Sequence, residues 1–428
     1  MSISTYAQSG NRPNYVIPTA AQSAPVVQTT PTPVQEAAPV AAAPVVTSES
    51  AGSVIYQDVT TGSGSMGCTD GCATMECGSG CDPQPWKLFG RNCDDPWVNI
   101  GGWLQGGVHT DGNGLFNNQP SDFNVHQAWL FAERVAESKN GRMGFGFRFD
   151  GVYGIDAQDT QAFGNPGATW DRAPGFQRNG GFGWALPQLY GEVAMGDMSV
   201  KVGHFFTLVG YETVTAPDNF FYSHAMTMYN SEPFTHTGAI ATWAMNDATT
   251  VYGGWTAGWD SGFDFSAGSN FLGGFSTQLD PDVTLTYITT IGNFGLRSNN
   301  NNDAYGHSIV LDMNMSENLN TVIQSDLTRI ESTGEDSFSL LMFNFYKINS
   351  WLSFGSRLEW YKADDIVGYN YGGLSAAPTG STSYYGQTSG LNIRVNPNII
   401  VRPEYRFDHS PGLDYDEGYF GLDVIATF

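Results

Sequence analysis

Arg402, Glu404, Arg406 and Asp408 occupy every second position near the carboxyl end, with Ile399, Val401, Pro403, Tyr405 and Phe407 interleaved. A β-strand repeats its side chains with period two, so the charged set and the apolar set fall on opposite faces. Guanidinium and carboxylate groups alternating on one face can hold a fixed field across an aqueous passage, or close into salt bridges that only stiffen the wall. Two preceding segments repeat the pattern. Arg394 lies between Asn392 and Asn396, opposite Leu391, Ile393 and Val395, while Arg357 and Glu359 oppose Leu352, Phe354, Leu358 and Trp360. Arg148 faces away from Phe145, Phe147 and Phe149. An Arg on a lipid-facing strand surface costs ~2–4 kcal/mol near the midplane, so these faces are expected to point inward, with Arg148, Arg357, Glu359, Arg394, Arg402, Glu404, Arg406 and Asp408 lining a lumen.

A second group of acids lies in residues 207–235, a long connection rich in Phe220, Phe221, Tyr222, Met226, Met228 and Tyr229. A loop that apolar is poorly suited to lie free in water. It is expected to fold inward, so that Glu212, Asp218 and Glu232 face the arginine wall across a constriction. The alternative is a latch between subunits.

Catalysis has little support. The seven histidines (109, 126, 204, 224, 236, 307 and 409) are scattered, with no HExxH or GxSxG, and adjacency of Ser223 and His224 in sequence does not make a pair in space. All five cysteines, Cys68, Cys72, Cys77, Cys81 and Cys93, precede the first candidate strand in a glycine-rich stretch. Their spacing lacks the C-x2-C pairs of zinc ribbons, so disulfides in an oxidising compartment are expected rather than a metal, with the odd thiol free or bridging two chains. Met66-Gly67-Cys68 is not preceded by an apolar run, which argues against lipidation. No cofactor is implied.

The elements that must position these side chains read as strands. Apolar–polar alternation predicts sixteen of them: 97–108, 123–136, 142–154, 186–195, 198–206, 236–246, 248–258, 270–280, 282–292, 304–315, 317–329, 336–347, 349–362, 383–396, 398–409 and 415–428. Short gaps such as Gly196-Asp197, Asn246-Asp247 and Pro397 alternate with long polar or glycine-rich ones at 109–122, 155–185, 207–235, 259–269, 293–303 and 363–382. This is the plan of an up-and-down outer-membrane barrel, with tight periplasmic turns and long outer loops. The last strand places Phe420, Leu422, Val424, Ala426 and Phe428 on one face and Gly421, Asp423 and Thr427 on the other, with Ile425 the exception. Alone, that segment would also suit the edge of a soluble sandwich. The expected fold is all-β, a transmembrane antiparallel barrel of about sixteen strands.

Composition agrees with that plan. The 428 residues include 52 Gly, 27 Phe, 20 Tyr and 11 Trp, yet no stretch approaches the roughly 20 apolar residues of a membrane helix. Eighteen Lys and Arg against 42 Asp and Glu argue against a nucleic-acid partner. Only six of those acids precede Asp94, and many of the rest fall in loops, which suits a solvated, divalent-tolerant outer surface.

The chain divides into a Pro/Ala-rich linker or tether at 1–60, a Cys/Gly-rich segment at 61–95 and a barrel at 96–428. Residues 13–47 carry seven prolines and a single charge, Glu36, so the tract favours an extended conformation reaching on the order of 100 Å. It reads as a tether or as a disordered tail, periplasmic if the barrel starts at that face. Residues 1–8 lack the basic start and apolar core of a secretory signal, and the numbering is expected to describe a processed or re-started chain.

Three stretches carry a specific resemblance. Gly203-His204-Phe205-Phe206-Thr207-Leu208-Val209-Gly210-Tyr211-Glu212-Thr213-Val214, Ala216-Pro217-Asp218-Asn219-Phe220-Phe221-Tyr222-Ser223 with Glu232-Pro233-Phe234-Thr235-His236-Thr237-Gly238, and Asn396-Pro397-Asn398-Ile399-Ile400-Val401-Arg402-Pro403-Glu404-Tyr405-Arg406-Phe407-Asp408 resemble the OmpL-like β-barrel porin family. The resemblance covers roughly residues 95–428, and with the cysteine-bearing leader it is similar to planctomycete-type outer-membrane porins. It implies an outer-membrane porin for ions and small hydrophilic solutes, without naming a solute. The alternative function is a structural envelope protein whose barrel anchors a periplasmic tether or surface assembly. Expected partners are outer-membrane lipid, further copies of the chain (a trimer by analogy), small solutes or ions, and the cell wall through the amino-terminal segment.

Overall fold

A computed structural model describes residues 86–88, 97–114, 116–139, 141–162, 170–171, 181–263, 268–295, 303–364 and 380–428. Sixteen antiparallel strands close on themselves, each beside its sequence neighbours and the first beside the last. They are β1 Asn99–His109, β2 Asn124–Arg134, β3 Gly144–Gly154, β4 Gly183–Met195, β5 Met198–Phe206, β6 Thr235–Asn246, β7 Thr249–Thr256, β8 Ser269–Asp280, β9 Val283–Asn293, β10 Asp303–Ser316, β11 Leu319–Ile330, β12 Asp336–Lys347, β13 Leu352–Ala363, β14 Thr382–Asn396, β15 Ile399–Ser410 and β16 Tyr415–Thr427. Two short helices, α1 Asp156–Thr160 and α2 Met226–Ser231, lie in connections. Among the described residues no helix is long and apolar enough to cross a membrane.

Closure follows from what hydrocarbon does to an edge strand: its free N–H and C=O groups would find no water, so the sheet must satisfy them itself. The seam between β1 and β16 is complete to the last residue, with Gly102 N–H donating to Phe428 O at 3.0 Å and Phe428 N–H to Gly102 O at 2.9 Å. Connections at the end that holds both chain ends of the barrel are mostly tight, such as 196–197, 247–248, 281–282, 317–318 and 397–398. The long ones lie at the other end, although 331–335 and 411–414 on that side are also short.

The strand faces divide as the alternation requires. Phe420, Leu422 and Val424 are exposed outward, and Asp423 and Ile425 are buried inward, so Ile425 is an inner-face residue. Phe428 continues the β16 ladder opposite Gly102, in phase with the outward Leu422 and Val424, and also borders a cleft at the rim. Strand ends shift by up to three residues from the alternation, most at β4, where Gly183, Trp184 and Ala185 continue the ladder with β3, and at β13, which begins at Leu352.

The connection from β5 to β6 decides the interior. Residues 207–234 turn into the barrel, and Leu208, Val209, Val214, Phe220, Phe221, Met226, Met228, Tyr229 and Phe234 are all buried. Phe220 packs on Phe345 of β12 with ring centroids 5.0 Å apart, and Tyr211 on Phe343 at 5.1 Å. The wall leaves room for this. A Cβ on Gly355 of β13 would stand 2.3 Å from the Phe220 ring, and one on Gly107 of β1 2.7 Å from the Tyr222 hydroxyl.

Candidate functional site

The barrel places Arg357, Glu359, Arg402, Glu404, Arg406 and Asp408 on the inner face of β13 and β15, all buried. Inward direction follows from the lipid outside, which tolerates their apolar neighbours and not their charges. They meet the inserted loop through its backbone. Glu404 accepts hydrogen bonds from Tyr222 N–H and Ser223 N–H, both at 2.9 Å. Glu359 accepts from Met226 N–H at 2.8 Å, Thr227 N–H at 2.7 Å and the Thr227 hydroxyl at 2.6 Å.

The arginines take the carbonyls. Arg402 donates to Ala216 O at 3.0 Å and Asn219 O at 2.6 Å while gripping Asp423 of β16 through both carboxylate oxygens, at 2.9 and 2.5 Å. Arg406 donates to His224 O and is held by Asp408 at 2.8 and 3.0 Å. Arg357 donates to Ser223 O at 2.8 Å and forms a salt bridge with Glu212, its guanidinium lying 5.1 Å from the Phe221 ring. A buried charge that lost its partner here would keep its desolvation cost, so loop and wall stabilise one another.

The three loop acids do different things. Glu212 joins the arginine wall directly, with no aperture between them. Burial alone would raise its carboxyl, but Arg357, His224 and the Ala225 N–H outweigh this and hold it down to about 2. Asp218 turns away from that wall and accepts from the Thr215 hydroxyl, and burial pushes its carboxyl up to about 6. Glu232 faces Gln324 and Asp326 of β11, which corrects the expectation that it faces arginine.

Arg148 sits on the inner face of β3 between Glu133 and Asp150, with its guanidinium 4.2 Å from the centre of the Phe131 ring. Arg394 pairs in register with the buried Ile400 near the tight-turn end and is half-buried. Arg148 also lines a cleft of about 370 Å³ at the barrel end that holds Phe428, together with Lys87, Glu133, Gln188, Thr213 and Asp218. Trp86 closes over this rim, its N–H donating to Asn398 Oδ1 at 2.6 Å.

Several contributors escaped the sequence reading. Asp156, at the start of α1, bonds His126 Nδ1 at 2.8 Å; His126 Nε2 bonds the Tyr222 hydroxyl; and His109 stacks on the Tyr222 ring at 3.9 Å. Gln127 spans loop and wall, donating to Val214 O at 2.7 Å and accepting from Ala216 N–H at 3.1 Å. Alternation from Asn124 could have singled out His126, but not its neighbour Gln127, which turns inward only because the register between β1 and β2 shifts there. Ser223 and His224 do not pair: the Ser223 hydroxyl meets Arg357 and the His224 ring lies beside Glu212. Cys68, Cys72, Cys77, Cys81 and Cys93 lie outside the described residues.

No curated protein matches the chain. Among solved structures, the outer membrane channel DcaP of Acinetobacter baumannii is similar at 12% identity over 77% of this chain and 97% of that one, with a TM-score of 0.51. A loop L8 deletion mutant of OmpT, an outer membrane protein of Vibrio cholerae, is similar at 9% identity over 77% and 99%, with a TM-score of 0.50. Identities this low speak for the barrel alone. The family model described as putative beta-barrel porin-2, OmpL-like, matches residues 97–428, and the chain belongs to that family of outer-membrane porins.

Proposed function

We propose that the barrel conducts ions and small hydrophilic solutes passively through a lumen that the 207–234 loop narrows, and that it does no catalysis. The observation that carries this is the loop itself, buried inside the barrel and fixed to the wall by Arg357, Glu359, Arg402 and Glu404. A constriction built of paired charges admits water and small polar solutes and sorts them by size and field. The cleft bearing Lys87, Arg148, Glu133 and Asp218 is the mouth of this path at the tight-turn end, which by analogy is periplasmic.

Residues 1–60 act as a tether and the Cys/Gly-rich segment 61–95 as a crosslinking element on the periplasmic side, with Cys68 to Cys93 bridging within or between subunits. The barrels assemble as homo-oligomers, on the trimer habit of sixteen-stranded porins, with outer-membrane lipid around them and cell-wall contact through the tether. Purified protein in a planar bilayer is expected to give stepwise ion conductance. A reconstituted barrel that passes no current would favour the anchor function instead.

A further inference from the structure

At the end of the inserted loop, Glu232 meets the inner face of β10 and β11 where no arginine stands. Glu232 and Asp326 are both buried, and a single amide nitrogen serves both: Gln324 Nε2 donates to Glu232 Oε1 at 2.5 Å and to Asp326 Oδ2 at 2.8 Å. The amide cannot turn to offer its oxygen, because Gln324 Oε1 already accepts from Tyr211 N–H at 3.1 Å. The second oxygen of each acid, Glu232 Oε2 and Asp326 Oδ1, has no hydrogen-bond donor. Ser308 is the cross-strand register partner of Asp326, is buried on the same inner face, and its Oγ lies beside that carboxylate. Among the described residues neither acid forms an ion pair, whereas the buried Arg357, Arg402 and Arg406 each have a carboxylate.

Three buried oxygens converge here, two of them from carboxylates removed from water. Buried charge of one sign needs a proton or a cation. We propose that Glu232, Asp326 and Ser308 bind a hard divalent cation of the calcium type, which ties the carboxyl-terminal limb of the loop to β10 and β11.

The donor set is all oxygen, as calcium prefers, and lacks the thiolate or imidazole that would select zinc or copper. Two carboxylates neutralise the ion, and its remaining positions go to water and neighbouring carbonyls. Burial and the nearby Asp326 push the Glu232 carboxyl well above its usual range, the strain that a bound cation relieves. The inference does not depend on conduction, since the site would hold its ion in a plugged barrel too.

The test is terbium luminescence on the full chain in detergent, excited through the protein's aromatic side chains, with calcium as competitor. Saturable emission, displaced by calcium and weakened at least tenfold in affinity in E232Q and D326N, is the expected result, with a smaller loss in S308A. Amide replacements keep the shape of the acids, and heat-modifiable gel migration identifies variants that still close the barrel. If these barrels bind terbium as the parent does, or if calcium leaves the parent's emission unchanged, the two acids merely share a proton and the proposal fails.

Discussion

Replacing Glu359 by Ala should release the inserted loop without opening the barrel. The carboxylate accepts three hydrogen bonds from the loop, at 2.8, 2.7 and 2.6 Å, and is itself a strand residue whose backbone ladder survives the change. Hydrogen bonds to a charged group contribute about 1.5–3 kcal/mol each, and breaking a buried charged set costs about 3–5 kcal/mol once burial of the survivors is counted. Taking the lower end, the ratio of seated to released loop falls by about a hundredfold. The barrel has fifteen other strands and many apolar loop contacts, so heat-modifiable migration should persist. The readout is single-channel recording beside limited proteolysis: E359A should show flickering between conductance levels and new cleavage within 207–234. E359Q should lie between E359A and the parent, because one amide oxygen still accepts while its NH2 opposes a donor. L358A, on the exposed face of the same strand, is the control and should change neither. Steady parental current and intact loop protection in E359A would refute the idea that these bonds hold the loop.

Neutralising Arg394 with Gln should shift the reversal potential toward cations, since it stands half-buried on the inner face at the tight-turn end; R402Q should instead lower stability, because Asp423 would lose both of its bonds to the guanidinium. The pH response has two limbs. Glu212 is held down to about 2, so its contribution is present above the ordinary carboxylate range and fades as pH falls toward 2, whereas Asp218 is raised to about 6, so its ionisation weakens the loop seat as pH climbs from about 4 through 6. Channel noise should therefore be lowest at about pH 4, and D218N should abolish the rise on the alkaline side while leaving the acid one. A chain beginning at Asp94 should assemble its barrel as the intact one does, and the intact chain should change its gel migration on reduction; identical migration would remove the proposed crosslink.

What the sequence made legible was whatever depends on neighbours two residues apart. The inward face Arg402, Glu404, Arg406 and Asp408 and the outward Tyr405 and Phe407 follow from period two and from the cost of charge in lipid. The loop's inward fold followed from its apolarity, since Phe220, Phe221 and Met226 had no other place to hide. Its partners were not legible, because they are set by how a closed sheet brings distant strands round one lumen: Thr227 and Glu359 are 132 residues apart, and Tyr222 and Glu404 182. Alternation could say that Arg402 faces inward but not whether water or a backbone carbonyl would meet it. The answer, carbonyls for the arginines and N–H groups for the glutamates, makes the clamp largely indifferent to the loop's side chains. Substitutions on the loop that spare its backbone, such as Met228→Leu, should leave the seat intact, whereas one on the wall, Gly355→Val, should unseat it, since the Phe220 ring already fills the space above Gly355.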